Sequence, residues 1–312
     1  MSQDVEIHRA SEEERLAAYR NVYEFWGGAR TLDEFLSRRL QSAAHNHAIW
    51  WVLKVGDQVA ASLGAHPLEF SYHGRIVTGF GIAAVHTHPD HRRHGHAAEL
   101  CREVARHATG HGDKLGLLFS DIDPDYYAAL GYRPCAAPRY LCEQPTDLVE
   151  SGPLANLQPI KPAAELDRLA SWYDACHRKQ ALSIHRSDAY WRYLFEKNAS
   201  AEYLSVGWPG APAEGYVVLH RLGGEDILEI LELVVSDPEL EQGTYRAAAQ
   251  MTLERGSHRV GGWLHPAIHH LNRFTAVARE KALPMLLPLD DDMTLDDELL
   301  QKGCHFWRTD HF

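Results

Sequence analysis

Between an apolar run ending at Val85 and a stretch with helical spacing from Ala97 to Ala108 lies Val85-His-Thr-His-Pro-Asp-His-Arg92-Arg93-His94-Gly95-His96-Ala97-Ala98. The run Thr78 to Val85 predicts a buried strand, and apolar residues at Ala97, Leu100, Val104 and Ala108 predict one face of an amphipathic helix. The connecting loop therefore opens a helix. At such an end the first turn of N–H groups lacks an intrahelical partner, and the aligned peptide dipoles add about half a positive charge. Arg92 and Arg93 supply guanidinium groups, while Gly95 and Ala97 keep bulk away from the main chain. Together these features make a phosphate cradle. The spacing is neither Gly-x-Gly-x-x-Gly nor a P-loop with its lysine, which disfavours a dinucleotide or a nucleoside triphosphate.

About thirty residues on stands Leu117-Leu-Phe-Ser120-Asp-Ile-Asp-Pro124-Asp-Tyr126-Tyr127-Ala-Ala-Leu130-Gly131-Tyr132-Arg-Pro134. It predicts a buried strand, a proline-initiated short helix, a glycine stop and a further strand. Taken together, the two elements resemble the GCN5-related N-acetyltransferase (GNAT) superfamily. Arg92-x-x-Gly95-x-Ala97 fills its acetyl-coenzyme A motif, and Tyr127-x-x-Leu130-Gly131-Tyr132 fills the motif that follows its splayed strand.

The resemblance implies acetyl-CoA as cosubstrate and a role for each matching residue. Val85, His86 and Thr87 would present main chain to the pantetheine and the thioester carbonyl. Arg92, Arg93, His94, Gly95, His96 and Ala97 would take the pyrophosphate. Tyr127 stands where many members carry the general acid that protonates the coenzyme sulfur; the alternatives are that it only packs on the pantetheine or that Tyr126 faces the site instead. Ser120 either binds the coenzyme or satisfies a strand end. Acetyl transfer needs a neutral amine and a protonated leaving thiolate. An amine titrates around pH 10 and a thiol near 8.5, so a base and an acid are both called for.

At 312 residues, with 45% apolar and 24% charged, the chain has room for about two ordinary domains. No apolar run is long enough to span a bilayer, and Met-Ser-Gln-Asp-Val-Glu is too polar for a signal peptide, so no membrane association and a cytoplasmic location are expected. Cys101, Cys135, Cys142, Cys176 and Cys304 form no C-x-x-C pair and are expected as free thiols. Two histidine groups, His265/His269/His270 and His86/His88/His91, lack cysteine or carboxylate partners at ligand spacing, so no metal is expected. A formal charge of −12 disfavours nucleic acid and favours a cationic amine, such as a polyamine, an aminoglycoside, a lysine-like molecule or a basic peptide.

The expected fold class is α/β (α+β). Strands are expected at 5–8, 48–55, 59–72, 75–85, 114–120 and 132–143, with helices over 11–25 and 32–40. A proline-rich segment, 144–162, reads as a linker between a catalytic domain (1–143) and a second domain (163–312). The second domain repeats the helix–helix–strand run, with helices over 163–178, 187–197 and 238–255 and strands at 202–207, 215–221, 227–236 and 260–265. Where the phosphate signature would recur, Ser236-Asp-Pro-Glu-Leu240-Glu-Gln-Gly243 offers carboxylates that would repel a pyrophosphate. One active and one degenerate GNAT-like domain is the reading.

This tandem form is similar to the enhanced-intracellular-survival type acetyltransferases, which implies a homo-oligomer. In that family a third, sterol-carrier-like domain follows and its terminal carboxylate is the base; this sequence stops before such a domain. It ends on Cys304-His-Phe-Trp307-Arg-Thr-Asp310-His311-Phe312, a tail that either closes the second domain as an edge strand or docks to bring Asp310, His311 or the Phe312 carboxylate to the amine. Phe119 to Ile122 and Leu-Gly-Tyr132 also look like the fungal lysine N6-acetyltransferases. Two functions follow. One is an acetyl-CoA-dependent N-acetyltransferase acting on a small cationic amine. The other is an inactive coenzyme A-sensing or scaffold protein, distinguished by thiol release.

Overall fold

Local chemistry starts the first helices where the chain leaves each strand or turn. In the computed structural model, which describes residues 4–222, 226–264 and 273–312, β1 (Val5–Arg9) leads to α1 (Glu12–Asn21) through Ser11. Ser11 Oγ accepts from the Glu14 N–H while the Glu14 carboxylate accepts from the Ser11 N–H. Thr31 and Glu34 form the same reciprocal box at the start of α3 (Leu32–Gln41). Between them the helix expected over 11–25 breaks at Val22, leaving a one-turn α2 (Tyr23–Trp26); α4 (Ala43–His47) follows α3.

Three antiparallel strands come next, β2 (Ile49–Val55), β3 (Gln58–Tyr72) and β4 (Arg75–Thr87). Gly56 (φ 59°) and Gly74 (φ 76°) take the left-handed conformations that these tight turns require. After the helix α5 (His96–Gly110), β5 (Leu115–Ser120) returns parallel to β4. The short α6 (Pro124–Ala128) then precedes the two-residue β6 (Arg133–Pro134).

Here the structure departs from the expected continuous strand over 132–143. β6 stays in the first sheet, while β7 (Pro138–Cys142) crosses into the second. The expected linker holds α7 (Pro145–Val149) and an edge strand, β8 (Asn156–Pro159). The chain continues as α8 (Leu166–His177), β9 (Leu182–His185), α9 (Asp188–Lys197), β10 (Glu202–Gly207), β11 (Gly215–Leu222) and β12 (Ile227–Val235). It ends with α10 (Pro238–Glu254), β13 (Arg259–Gly262), β14 (Thr275–Ala278) and β15 (Leu283–Pro288). β9, β14 and β15 lie outside the strand ranges expected from the sequence.

Among the described residues the first sheet runs β1-β2-β3-β4-β5-β15-β6 and the second β8-β10-β11-β12-β13-β7-β14. The two orders match position for position, including a parallel pair at β4/β5 and again at β12/β13. One place is exchanged: β15, from the end of the chain, lies between β5 and β6, and β7, from the first half, lies between β13 and β14. The repeat is therefore structural as well as sequential, and each copy completes the other's sheet. β9 adds a seam by pairing with the distal half of β3, from Glu69↔His185 to Tyr72↔Leu182.

The core follows this interlocking. A large cluster joins Phe70, Leu115 and Leu117 of the first sheet to Trp191, Tyr216 and Leu219 of the second half. A separate cluster lies under α5, and a third joins α1 and α3 to Trp50. Within the second half, fully buried Arg186 meets Glu232 at 2.7 and 3.0 Å and Asp310 at 3.1 and 2.9 Å. Tyr216 and Thr309 donate to the same Glu232 carboxylate, and the guanidinium lies over Tyr173 (4.0 Å) and Trp191 (4.6 Å). Two carboxylates against one guanidinium are tolerable in the interior because these hydroxyls satisfy the remaining lone pairs. The network pins the C-terminal tail, which is docked rather than paired as an edge strand; its last regular element is a single 3-10 turn, Arg308–Asp310.

The second copy's counterpart of the phosphate loop is closed by its own side chains. Asp237 accepts from the Glu239 N–H at 2.9 Å, Leu240 is buried, and Gly243 lies against Trp208. A carboxylate therefore occupies the helix end where an anion would otherwise sit. Among the described residues no helix is long and apolar enough to cross a membrane. The His265/His269/His270 group lies outside the described residues.

Candidate active site

β4 and β5 are hydrogen-bonded only from Gly79↔Leu115 to Ile82↔Leu118. Beyond that point β4 stays with β3 while Phe119 and Ser120 stay with β15, so the two strands splay. On β4 the partners jump from Gly64↔Ala83 to Ser62↔His86, so Ala84 and Val85 both oppose Leu63. That is a β-bulge, and Ala84 takes φ 53° in it, a left-handed conformation that costs a non-glycine residue roughly 1 kcal/mol. The bulge takes main chain out of the ladder at the mouth of the gap.

The loop after β4 turns through Pro89–His91 and reaches α5 with Arg93 at φ 66° and Gly95 at φ 83°. The first bond of the helix is from the Glu99 N–H to the Gly95 carbonyl. The main-chain N–H groups of Arg93 through Ala98 have no partner among the described residues. Nothing lies within 4 Å of a Cβ built on Gly95, so its role is conformational. A row of free N–H groups at a helix start, open to solvent beside two arginines, fits the diphosphate of a coenzyme.

Two exposed aromatic residues with no motif to mark them in the sequence, Phe25 and Trp26, flank this loop. The Arg92 guanidinium lies 5.2 Å from the Phe25 ring, and its Nε donates to the Thr87 carbonyl at 3.3 Å. His86 stands 5.6 Å from Phe25 and 6.4 Å from Trp26, ring to ring. Burial, helped by Arg92, lowers the His86 pKa to about 4, so the ring is neutral near pH 7. In the sequence α2 is marked by Phe25-Trp26 before Gly27-Gly28, and the helix expected over 11–25 ends inside it.

On the other side of the gap, Tyr127 is 8% exposed and packs with Cys101 and Tyr132, whereas Tyr126 is 37% exposed. Burial raises the Tyr127 pKa, which keeps the phenol protonated. Ser120 is buried and donates to the Ile122 carbonyl at 2.9 Å, closing its own turn. Of the two expectations for Ser120, the hydrogen bonding matches the strand end.

The tail reaches the splayed strands from the face opposite α5. The Phe312 ring stacks on His66 (4.9 Å) and meets Phe119 edge-on (5.3 Å), and a Cβ on Gly81 would run into it. The buried Lys197 ammonium donates to the Thr309 carbonyl at 2.9 Å and also to that of His311. Asp310 is committed to Arg186. Burial, with Lys197 and Arg308 nearby, lowers the His311 pKa to about 3.

Residues 6–135 match the family model of the acetyltransferase (GNAT) domain. The chain carries a GNAT acetyltransferase domain. Among solved structures, the chain is similar to a probable N-acyltransferase from Enterococcus faecalis, with a TM-score of 0.75 and 13% identity over 92% of this chain and 73% of that one. A GCN5-related N-acetyltransferase from Anabaena variabilis gives 0.74 and 16% over 92% and 73%. Eis1 from Mycobacterium abscessus gives 0.63 and 17% over 92% and 74%. Identities this low speak to the fold, which is that of a tandem pair of GNAT-like domains. Among the curated proteins none matches the chain. The phosphate loop, the bulge and Tyr127 lie inside the matched GNAT domain; β15 and Phe312, which complete its sheet and line its gap, lie outside it.

Proposed function

We propose that the chain is an acetyl-CoA-dependent N-acetyltransferase that moves the acetyl group to a primary amine of a small acceptor. The observation that carries this is the run of free N–H groups from Arg93 to Ala98, placed beside the splay of β4 and β5. Arg92, Arg93, His94, Gly95, His96 and Ala97 hold the diphosphate, and the main chain of Val85, His86 and Thr87 aligns the pantetheine and polarises the thioester carbonyl. The amine nitrogen forms the new C–N bond as the C–S bond breaks. Tyr127, kept protonated by burial, delivers its proton to the departing sulfur.

The proton lost by the amine passes through water to the carboxyl group of Phe312, whose ring is seated against Gly81 and His66. Asp310 is occupied by Arg186, and burial beside Lys197 and Arg308 disfavours a positive charge on the His311 ring. Calorimetry with acetyl-CoA, followed by a thiol-release assay over a panel of amines, tests the reading. Binding with amine-dependent release of free thiol is expected; a folded protein that binds acetyl-CoA without such release would be a coenzyme-holding protein instead.

A further inference from the structure

Beside the GNAT domain's reaction centre, between α2–α4 and the end of α9, lies a cleft of about 680 Å³. Its apolar lining includes Trp26 and Phe35, and its charged lining is Arg30, Arg38 and Arg39 against the single carboxylate of Glu196; Lys197 also borders it, with its buried ammonium turned to the Thr309 and His311 carbonyls. In a chain of formal charge −12 this is a local reversal of sign. Among the described residues Arg30, Arg38 and Arg39 form no ion pair, although Arg30 is near enough to Glu34 to help lower its pKa: Arg39 lies over Phe35 (4.8 Å) and Trp26 (5.3 Å) and bonds His45, and the Arg30 guanidinium reaches the Gly27 carbonyl. Charges facing a cleft with low-dielectric walls concentrate their field within it.

Single residues stand between the cleft and the centre. Trp26 borders both the cleft and His86 of β4, and Phe35 belongs to the cluster that includes Ala84 of the bulge. Lys197 lines the cleft and holds the His311 carbonyl next to Phe312. An acceptor seated in the cleft would thus lie next to side chains that pack against the bulge.

We infer that the acetyl acceptor is an amine that also carries an anionic group, a carboxylate or a phosphate, bound by Arg38 and Arg39 in this cleft. The inference rests on the proposed transfer reaction and narrows its acceptor. Within the classes expected from overall charge it favours a lysine-like molecule over polyamines and aminoglycosides. Guanidinium forks match the geometry of both oxyanions, and an acceptor with positive charge throughout would meet repulsion there.

Two matched pairs separate the cases: L-lysine against cadaverine, which lacks only the carboxylate, and glucosamine 6-phosphate against glucosamine. With saturating acetyl-CoA, kcat/KM from thiol release is expected to be about 10-fold or more higher for the anionic member of one pair, and which pair responds tells carboxylate from phosphate. In R38Q and in the R38Q/R39Q double variant that preference should fall toward unity, while the Kd for acetyl-CoA stays unchanged. Arg38 is exposed, so the single variant preserves the fold even if the double one does not. Calorimetry of the same four amines reads the preference without turnover. Equal or better use of cadaverine and glucosamine overturns the inference, as does a rise in the acetyl-CoA Kd in R38Q. Preferential binding of the anionic amines without thiol release leaves the cleft's selectivity standing and overturns the transfer reaction alone.

Discussion

Tyr127 sits against Cys101 and Tyr132 with little solvent around it, and burial holds its phenol in the protonated form. Tyr127→Phe keeps the ring's packing and removes the proton, so kcat should drop about 100-fold while acetyl-CoA affinity, read by calorimetry, is retained. A full kcat in that variant would remove the acid role. Arg186 makes a different residue-scale case. Arg186→Met leaves Glu232 and Asp310 buried without their cation, and stability should fall by about 3–5 kcal/mol in urea unfolding. Both tyrosines of the Tyr126–Tyr127 pair were visible as candidates in the sequence. Arg186 was not, because its two acidic partners are 46 and 124 positions away and only the fold brings them together.

At the scale of elements, the coenzyme loop was legible because its physics is local. A strand, a glycine that turns left-handed and the open first turn of α5 follow one another in the chain, so their order alone places free N–H groups beside Arg92 and Arg93. Arg92→Glu puts a carboxylate where a diphosphate is to bind, and the acetyl-CoA Kd should rise roughly 100-fold, with the circular dichroism spectrum unchanged. An unaltered Kd would move the coenzyme elsewhere. The basic cleft was not legible: its charged residues come from the loop before α3 (Arg30), from α3 (Arg38 and Arg39) and from the end of α9 (Glu196 and Lys197), and together they form no motif. Overall charge pointed the other way, since −12 summed over the surface says nothing about the sign inside one cleft.

For the whole molecule, the exchange of β7 and β15 makes each half the partner of the other. A fragment of residues 1–150 would expose β5 along the edge that β15 covers and would carry β7 with nothing to pair against. Open edges of this kind aggregate. The fragment should be insoluble when expressed alone and recovered when co-expressed with 151–312, as sedimentation would show; a soluble, cooperatively folding fragment would contradict the interlock.

Acid sensitivity is also a property of the assembled molecule. In the folded chain the pKa values of His45, His86 and His311 lie at about 3, 4 and 3, mainly through burial, against roughly 6.5 in an unfolded chain. Below about 6.5 the unfolded state binds more protons, so stability is complete above that pH and is lost as pH falls toward 4. The melting temperature should decline steadily from pH 7 to 4.5; a flat profile would mean that these rings are not buried.

The amino-acid order by itself determined the parts governed by neighbours in the chain: the capping boxes at Ser11 and Thr31, the turns at Gly56 and Gly74, the phosphate loop, and the repeat of helices and strands that doubles the fold. Tertiary structure alone decided which sheet β7 and β15 join, where the tail rests, and that the end of α9 closes a cleft over Arg38 and Arg39. Those outcomes depend on contacts between residues more than a hundred positions apart, such as Gly81 with Phe312 and Leu118 with Met285. Periodicity carries no information about such pairs, because a strand's alternation shows that it has a buried face and not whose strand will lie beside it.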